Sequence, residues 1–198
     1  MRKEAPTGRR ERNKLEKLER ITAVARELFA EKGISEVTTN EVALRADIAA
    51  GTLFLYAKTK GELLLLAQNA SYAEAHELGV EAASRISDPS AAILALMKPI
   101  IVCNREHVEN GRTYLQEVVF GASSDGYRKE AIGLMAETER AVAEIAARIT
   151  NQHDAIGVNR AKAVMAIVFI TLSSPLNVVK SVEELLAELE IQLRLLFV

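Results

Sequence analysis

The sequence predicts an all-α protein: a small N-terminal head of three helices, then a larger helical body. Three observations carry that prediction. Apolar residues recur at spacings of three and four along most of the 198 residues, the period of an amphipathic helix. Three Ser/Thr-x-x-Glu boxes, Thr38 with Glu41, Thr59 with Glu62 and Ser181 with Glu184, mark helix starts. Gly33, Asp88-Pro89 and Pro175 stand where helices end or begin.

In chain order, the first helix is expected over 14–32, with Leu15, Leu18, Ile21, Ala25, Leu28 and Phe29 on one face and Gly33 just beyond its end. Thr38 opens a second helix with a small apolar face of Val42, Ala43 and Ala46. Asp47 to Ala50 make a turn, and Gly51 to Tyr56 form another short helix, followed by Lys58 and Lys60. Helices this short do not stand alone. A short capped pair behind one longer helix has the size and order of a helix-turn-helix module, whose second helix enters a major groove of DNA.

The body opens at Thr59 with a helix running through Leu63–Leu66, Ala70, Ala73 and Leu78 to about Ile86. Asp88-Pro89 starts the next, carrying Ile93, Leu96, Met97, Ile100 and Ile101, with Pro99 expected to kink or restart it and the helix to fray near Glu109-Asn110-Gly111. A short helix is expected over 114–121, a turn at Ser123-Ser124-Asp125-Gly126, and a long helix over 127–149 through Ile132, Met135, Val142 and Ile145. Residues 159–172 are apolar almost all round from Ala163, so both faces should be covered. The last helix places Leu185, Leu186, Leu189, Leu193, Leu196 and Phe197 on its apolar side.

Charge is divided unevenly. Residues 1–60 hold 13 Lys/Arg against 9 Asp/Glu, and the rest hold 12 against 18, so the head is basic and the body acidic. Arg2, Lys3, Arg9, Arg10, Arg12 and Lys14 make residues 1–13 and their junction a basic arm, which favours a polyanionic partner. The competing reading of that arm is a solvated, disordered tail. The single Cys103 excludes an intrachain disulfide and fits a reducing compartment. The N-terminus lacks the apolar run of a signal peptide, and the longest apolar stretch, Ala163 to Leu172, falls short of the roughly 20 residues that span a bilayer. A cytoplasmic protein is expected.

Residues 18–66, with ITAVARELFAEKG, then TTNEVA, then GTLFLYAKTKGELL, resemble the TetR-type (tetracycline-repressor-like) bacterial regulators. Thr38, Thr39, Val42, Ala43, Ala46, Gly51, Thr52, Leu53, Lys60, Glu62 and Leu63 carry the likeness. The chain departs from the family pattern at Asp47 (usually Gly), Ala49 (usually a Ser cap), Phe54 (usually Tyr) and Ala57 (usually Phe). Loss of a Ser cap typically costs about 1 kcal/mol of helix stability.

The resemblance implies a DNA-binding head over 14–58 and a ligand-binding and dimerisation body over 59–198. It implies a homodimeric repressor on a palindromic operator, released by a small ligand. Thr39 and Asn40, at the first turn of the second helix, suit phosphate. Carried over from the family motif, Asn40, Ala50, Thr52 and Leu53 face the groove, Gly51 leaves room for close approach, and Phe54, Tyr56 and Lys60 lie nearer the DNA backbone, with Arg9, Arg10 and Arg12 adding arm contacts. No Arg or Gln lies in the recognition helix, so bidentate base contacts are scarce and DNA shape must contribute. The competing reading of Leu53 and Phe54 is core of the head, and for Leu55 core is the preferred reading.

The implied cavity finds support in Met97, Ile101, Asn104, Tyr114, Glu117, Phe120 and Met135, a few polar groups among apolar ones. Met and aromatic residues at helical spacing are more often ordinary core than pocket. With no cationic cluster there, a neutral or cationic, largely apolar ligand is expected. A four-helix bundle across a two-fold axis would cover the last two helices through Val164, Ile167, Val168, Thr171, Leu185, Leu189, Leu193 and Leu196. The alternative is that both helices are the core of a monomer.

Two other classes of function compete. Cys103 and His107, four apart on an expected helix, would share a face as a thiolate–imidazole pair or half a metal site. His76 and His153 are isolated, and no glycine-rich phosphate loop, H-E-x-x-H or G-x-S-x-G occurs. No enzyme, metal or cofactor is expected. The remaining class is an all-helical protein-interaction module whose helix-turn-helix no longer binds DNA. Salt dependence separates it from a DNA-binding dimer.

Overall fold

A computed structural model describes residues 8–121, 126–150 and 155–197. These form helices α1 (Arg9–Glu36), α2 (Thr39–Arg45), α3 (Ala50–Leu53), α4 (Lys60–Ser84), α5 (Pro89–Arg105), α6 (Val108–Phe120), α7 (Gly126–Thr150), α8 (Ala155–Ser173) and α9 (Val182–Leu196), with no strand among the described residues. The expected turn at Ser123-Ser124-Asp125 lies outside them.

Helix starts follow the sequence signals. Thr38, Thr59, Asp88 and Ser181 each accept a hydrogen bond from the amide three residues on. Only the Ser181 box is reciprocal, with the Glu184 carboxylate accepting from the Ser181 amide at 2.7 Å. At Thr38 the partner carboxylate of Glu41 turns instead to Lys32 on α1. At Thr59, Glu62 accepts from the Lys58 amide at 2.6 Å.

Two elements differ from expectation. α1 begins at Arg9, five residues ahead of Lys14, so Arg9, Arg10 and Arg12 ride on a helix. Apolar periodicity is silent over that segment because it is exposed on every side. α5 runs through Pro99 as one helix and stops at Arg105, and α6 starts at Val108 with Asn110-Gly111 inside it. Gly111 is required by packing: a Cβ there would lie 2.0 Å from the Asn104 carbonyl oxygen.

One core joins head and body. Ile21, Leu28 and Phe29 of α1, Val42 of α2 and Leu53 of α3 belong to the same buried cluster as Leu63, Leu96, Val142 and Leu189. α4 is the spine, packed on α5, α1 and α7, with α8 laid on α7 and α9 on α5. Buried leucines and isoleucines of this kind each contribute about 1.5–3 kcal/mol.

α8 is 19 residues long and apolar enough, by length and composition, to cross a membrane. The expected Ala163–Leu172 stretch undercounts it, because 155–162 extend the same helix. Its Gly157, Ala161, Val164, Val168 and Leu172 are buried inside the chain. Ile156, Val158 and Ile170 are exposed.

Candidate functional site

In the head, α2 is braced against α1. Lys32 pairs with Glu41, and Arg45 reaches Glu31 at 3.2 Å and Glu27 at 3.7 Å. The hydrogen bond from Lys32 holds the Glu41 carboxyl below its usual range, and Glu31 raises the Arg45 guanidinium. Such exposed pairs contribute little stability, but they occupy Lys32 of α1 and Arg45 of α2. The turn then passes through Asp47 at φ 53°, the left-handed region, which explains why glycine suits that position. α3 starts at Ala49 with no side-chain cap. Its helical turns carry on to Ala57, whose amide donates to the Leu53 carbonyl.

The expected DNA-facing residues divide. Asn40, Gly51 and Phe54 are exposed, and Thr39, Ala50, Thr52 and Tyr56 are half-buried. A Cβ on Gly51 would meet nothing within 4 Å. Leu53 does not face outward: it is 1% exposed in the core, whereas Leu55, expected inside, is 83% exposed. In a helix of one turn flanked by Leu, Phe and Leu, the apolar pattern leaves the phase undetermined. Lys60 is not free for a phosphate either, since its Nζ donates to the carbonyls of Ser35 and Val37 at the end of α1. The Tyr56 hydroxyl makes a long bond of 3.5 Å to the Lys14 carbonyl. Arg9, Arg10 and Arg12 are exposed on the first turn of α1.

The body holds a cavity of about 410 Å³ between α4, α5, α6, α7 and α8. Met97, Asn104, Tyr114 and Met135 line it, joined by Cys103, expected in another role, and by Gln68, Tyr72, Glu139, Met165 and Phe169, which the sequence did not single out. Three expected residues do not line it. Ile101 is 1% exposed in the core on another face of α5, and Phe120 is 75% exposed at the end of α6, edge-on to Phe169. The Glu117 carboxylate lies against Gly61 of α4. Both cavity tyrosines spend their hydroxyls elsewhere, Tyr72 with Thr138 at 3.0 Å and Tyr114 with Asn69 at 3.0 Å. They offer rings, not hydroxyls, to the cavity.

Cys103 and His107 are not paired on one helix, because α5 ends between them. Cys103 lines the cavity, and burial pushes its thiol up to about 11. His107 precedes α6 and packs on the kink of α1 at Gly33, where φ is 78° and a Cβ would lie 2.4 Å from the imidazole Cε1. Asn110 completes this clasp: its Nδ2 donates to the Phe29 carbonyl and its Oδ1 accepts from the Ile34 amide, both at 2.7 Å. Ser35 donates to Glu109 beside it. The sequence marks Asn110 only as part of a helix end at Glu109-Asn110-Gly111, not as a clasp on α1.

Of the residues expected between two copies, Val164, Val168, Leu185, Leu189 and Leu193 are buried within the chain itself, none more than 6% exposed. They are core. Ile167, Thr171 and Leu196 are half-buried. The outward apolar surface of α8 and α9 is instead Ile156, Ile170, Ile191 and Leu195, between 57% and 75% exposed.

Residues 21–67 match the family model of the bacterial regulatory proteins, tetR family. Solved structures match along most of the chain. A TetR transcriptional regulator from Rhodococcus sp. RHA1 superposes with a TM-score of 0.66 at 19% identity, covering 94% of this chain and 98% of its own. Thermus thermophilus FadR, a TetR-family transcriptional repressor solved with lauroyl-CoA, gives 0.67 at 21% identity, covering 90% and 92%. AibR, solved with isovaleryl coenzyme A and operator DNA, gives 0.60 at 13% identity, covering 91% and 98%. No curated protein matches the chain in sequence. The head is thus a tetR-family domain, and the chain has the fold of TetR-type transcriptional regulators.

Proposed function

We propose that this protein is a cytoplasmic, ligand-responsive transcriptional repressor that binds a palindromic duplex operator as a homodimer. The head, extended to Arg9, is the DNA-binding unit, and the body from Thr59 holds the ligand cavity and the dimer surface. The observation that carries the reading is Gly51, exposed at the first turn of α3 with open space where its Cβ would be. Nothing inside the chain needs a bare backbone there, whereas a groove floor approached closely would.

Around Gly51, Asn40, Thr52 and Phe54 supply polar and apolar contacts, and Arg9, Arg10 and Arg12 supply charge for the phosphate backbone. Pairing of Ile156, Ile170, Ile191 and Leu195 with a second copy would cover the apolar surface left on α8 and α9. A dimer then sets the separation of two α3 helices against successive major grooves, roughly 34–36 Å apart. α6 joins the two functions: Asn110 holds α1, and one turn on, Tyr114 and Leu115 line the cavity. A ligand that favours another α6 position weakens DNA binding by its differential affinity for the two states. FadR and AibR, the relatives solved with acyl-CoA ligands, support a cavity of this kind as an effector site.

Electrophoretic mobility shifts on DNA flanking the coding sequence, over a salt series, test the reading. A shift that weakens steeply with salt is expected. Exposed Leu44, Phe54 and Leu55 favour a second reading, in which the head docks a protein through an apolar surface. Binding to a protein partner that is indifferent to salt, with no shift on any flanking DNA, would replace the first reading with the second.

A further inference from the structure

We infer that the cavity takes a lipophilic cation, an amine or quaternary ammonium on an apolar body, with Glu139 as its counter-charge. The inference rests on the effector-site reading above and narrows it to a ligand class. Among the described residues lining the cavity, Glu139 is the only charged one; the rest are apolar, aromatic or neutral polar. Ile132, Met135, Ala136 and Glu139 are spaced at three and four on α7, so Glu139 belongs to the cavity-facing stripe. It makes no ion pair or hydrogen bond among the described residues. A carboxylate facing an apolar cavity without a partner is poised for an incoming cation.

The walls favour the same class. Tyr72, Tyr114 and Phe169 present rings, which attract a cation through their faces. Met97, Met135 and Met165 offer adaptable apolar surface. The volume of about 410 Å³ falls within the roughly 300–1,000 Å³ of pockets for drug-sized ligands. Conversely, no Lys, Arg or His among the described residues lines the cavity, so an anion would be desolvated without a counter-charge and would meet Glu139 as well.

A head-group series on one chain tests this: dodecylamine, dodecanol and dodecanoate, titrated calorimetrically below their aggregation limits into the full-length protein and its Glu139→Gln variant. Dodecylamine is expected to bind at least tenfold more tightly than dodecanoate. Glu139→Gln should lower amine affinity about tenfold and leave dodecanol within twofold, which also shows the cavity intact. Dodecanoate binding as well as the amine, or an amine affinity unchanged in the variant, overturns the charge assignment while leaving an effector cavity in place. Failure of all three to bind overturns the cavity reading itself, and this assignment with it.

Discussion

Asn110 closes on Ile34 from across the molecule: its side-chain oxygen accepts the Ile34 amide at 2.7 Å while its nitrogen donates to Phe29. The two bonds bracket Gly33, the one non-helical residue inside α1, and Asn110 is 1% exposed. The break in α1 frees backbone groups that this one amide satisfies. Asn110→Ala leaves a buried donor and a buried acceptor without partners, at about 1–3 kcal/mol each. A fall of roughly 2–6 kcal/mol in unfolding free energy is expected from urea titration. Asn110→Asp keeps the acceptor for Ile34 but sets a buried carboxylate oxygen against the Phe29 carbonyl, so it should cost at least as much as Ala. Equal stability of Asn110→Ala and wild type would contradict the clasp.

Gly51→Ala separates fold from function. With open space around its Cβ, alanine should be tolerated and raise stability by up to about 1 kcal/mol through helix propensity. DNA affinity should nevertheless fall, because the added methyl stands between α3 and the groove floor. Thermal unfolding and fluorescence anisotropy on the same preparation would read both effects. A stabilised variant with undiminished DNA affinity would remove Gly51 from the interface.

The start of α3 is improvable. Ala49 offers no cap, and Asp47 sits at φ 53°. Ala49→Ser should add about 0.5–1 kcal/mol by accepting an orphan amide. Asp47→Gly should change stability by less than about 1 kcal/mol, since aspartate tolerates the left-handed region, whereas Asp47→Val should lower it by about 1–2 kcal/mol. Denaturant midpoints of the three variants check this order.

Alkaline pH should weaken the fold through groups buried in the body. Burial raises the Cys103 thiol to about 11 and the Tyr72 phenol to about 12. A group whose folded pKa is raised contributes stability that is fully present below its unfolded value and lost as pH rises through the folded one. For Cys103 that window runs from about 9 to about 11. Stability should therefore decline across it, and Cys103→Ala should flatten the decline. The same shift predicts slow alkylation of Cys103 by iodoacetamide at neutral pH, despite its place on the cavity wall.

The reach of sequence reasoning followed how strongly each residue's role is written in a repeating pattern. Caps at Thr38, Thr59, Asp88 and Ser181 were legible because a side chain and an amide three residues on suffice to define them. Met97, Asn104, Tyr114 and Met135 line the cavity, although helical spacing alone reads them as core and only the family resemblance pointed to a pocket. Leu53 and Leu55 exchanged places because one helical turn of consecutive apolar residues fixes no phase. α8 posed the same difficulty at greater length: apolar all round, it gave no means of telling inward Val164 and Val168 from outward Ile170. On α9 the strong Leu185, Leu189 and Leu193 stripe is the one the chain buries for itself, leaving Ile191 and Leu195 outside. Glu139 was overlooked, although its spacing from Ile132 and Met135 was available. The clasp made by Asn110 was invisible, since its partners lie 76 and 81 residues away.

The account stands on two copies of the chain presenting two α3 helices to one duplex. Sedimentation velocity with a fluorescent operator duplex tests that most directly, comparing wild type with Ile170→Glu and Leu195→Glu combined, both outward residues that no core packing requires. The account predicts a dimer free in solution, one dimer per palindromic duplex, and a folded monomer with greatly weakened DNA binding for the double variant. A wild-type monomer that leaves the duplex unbound at low salt would contradict it.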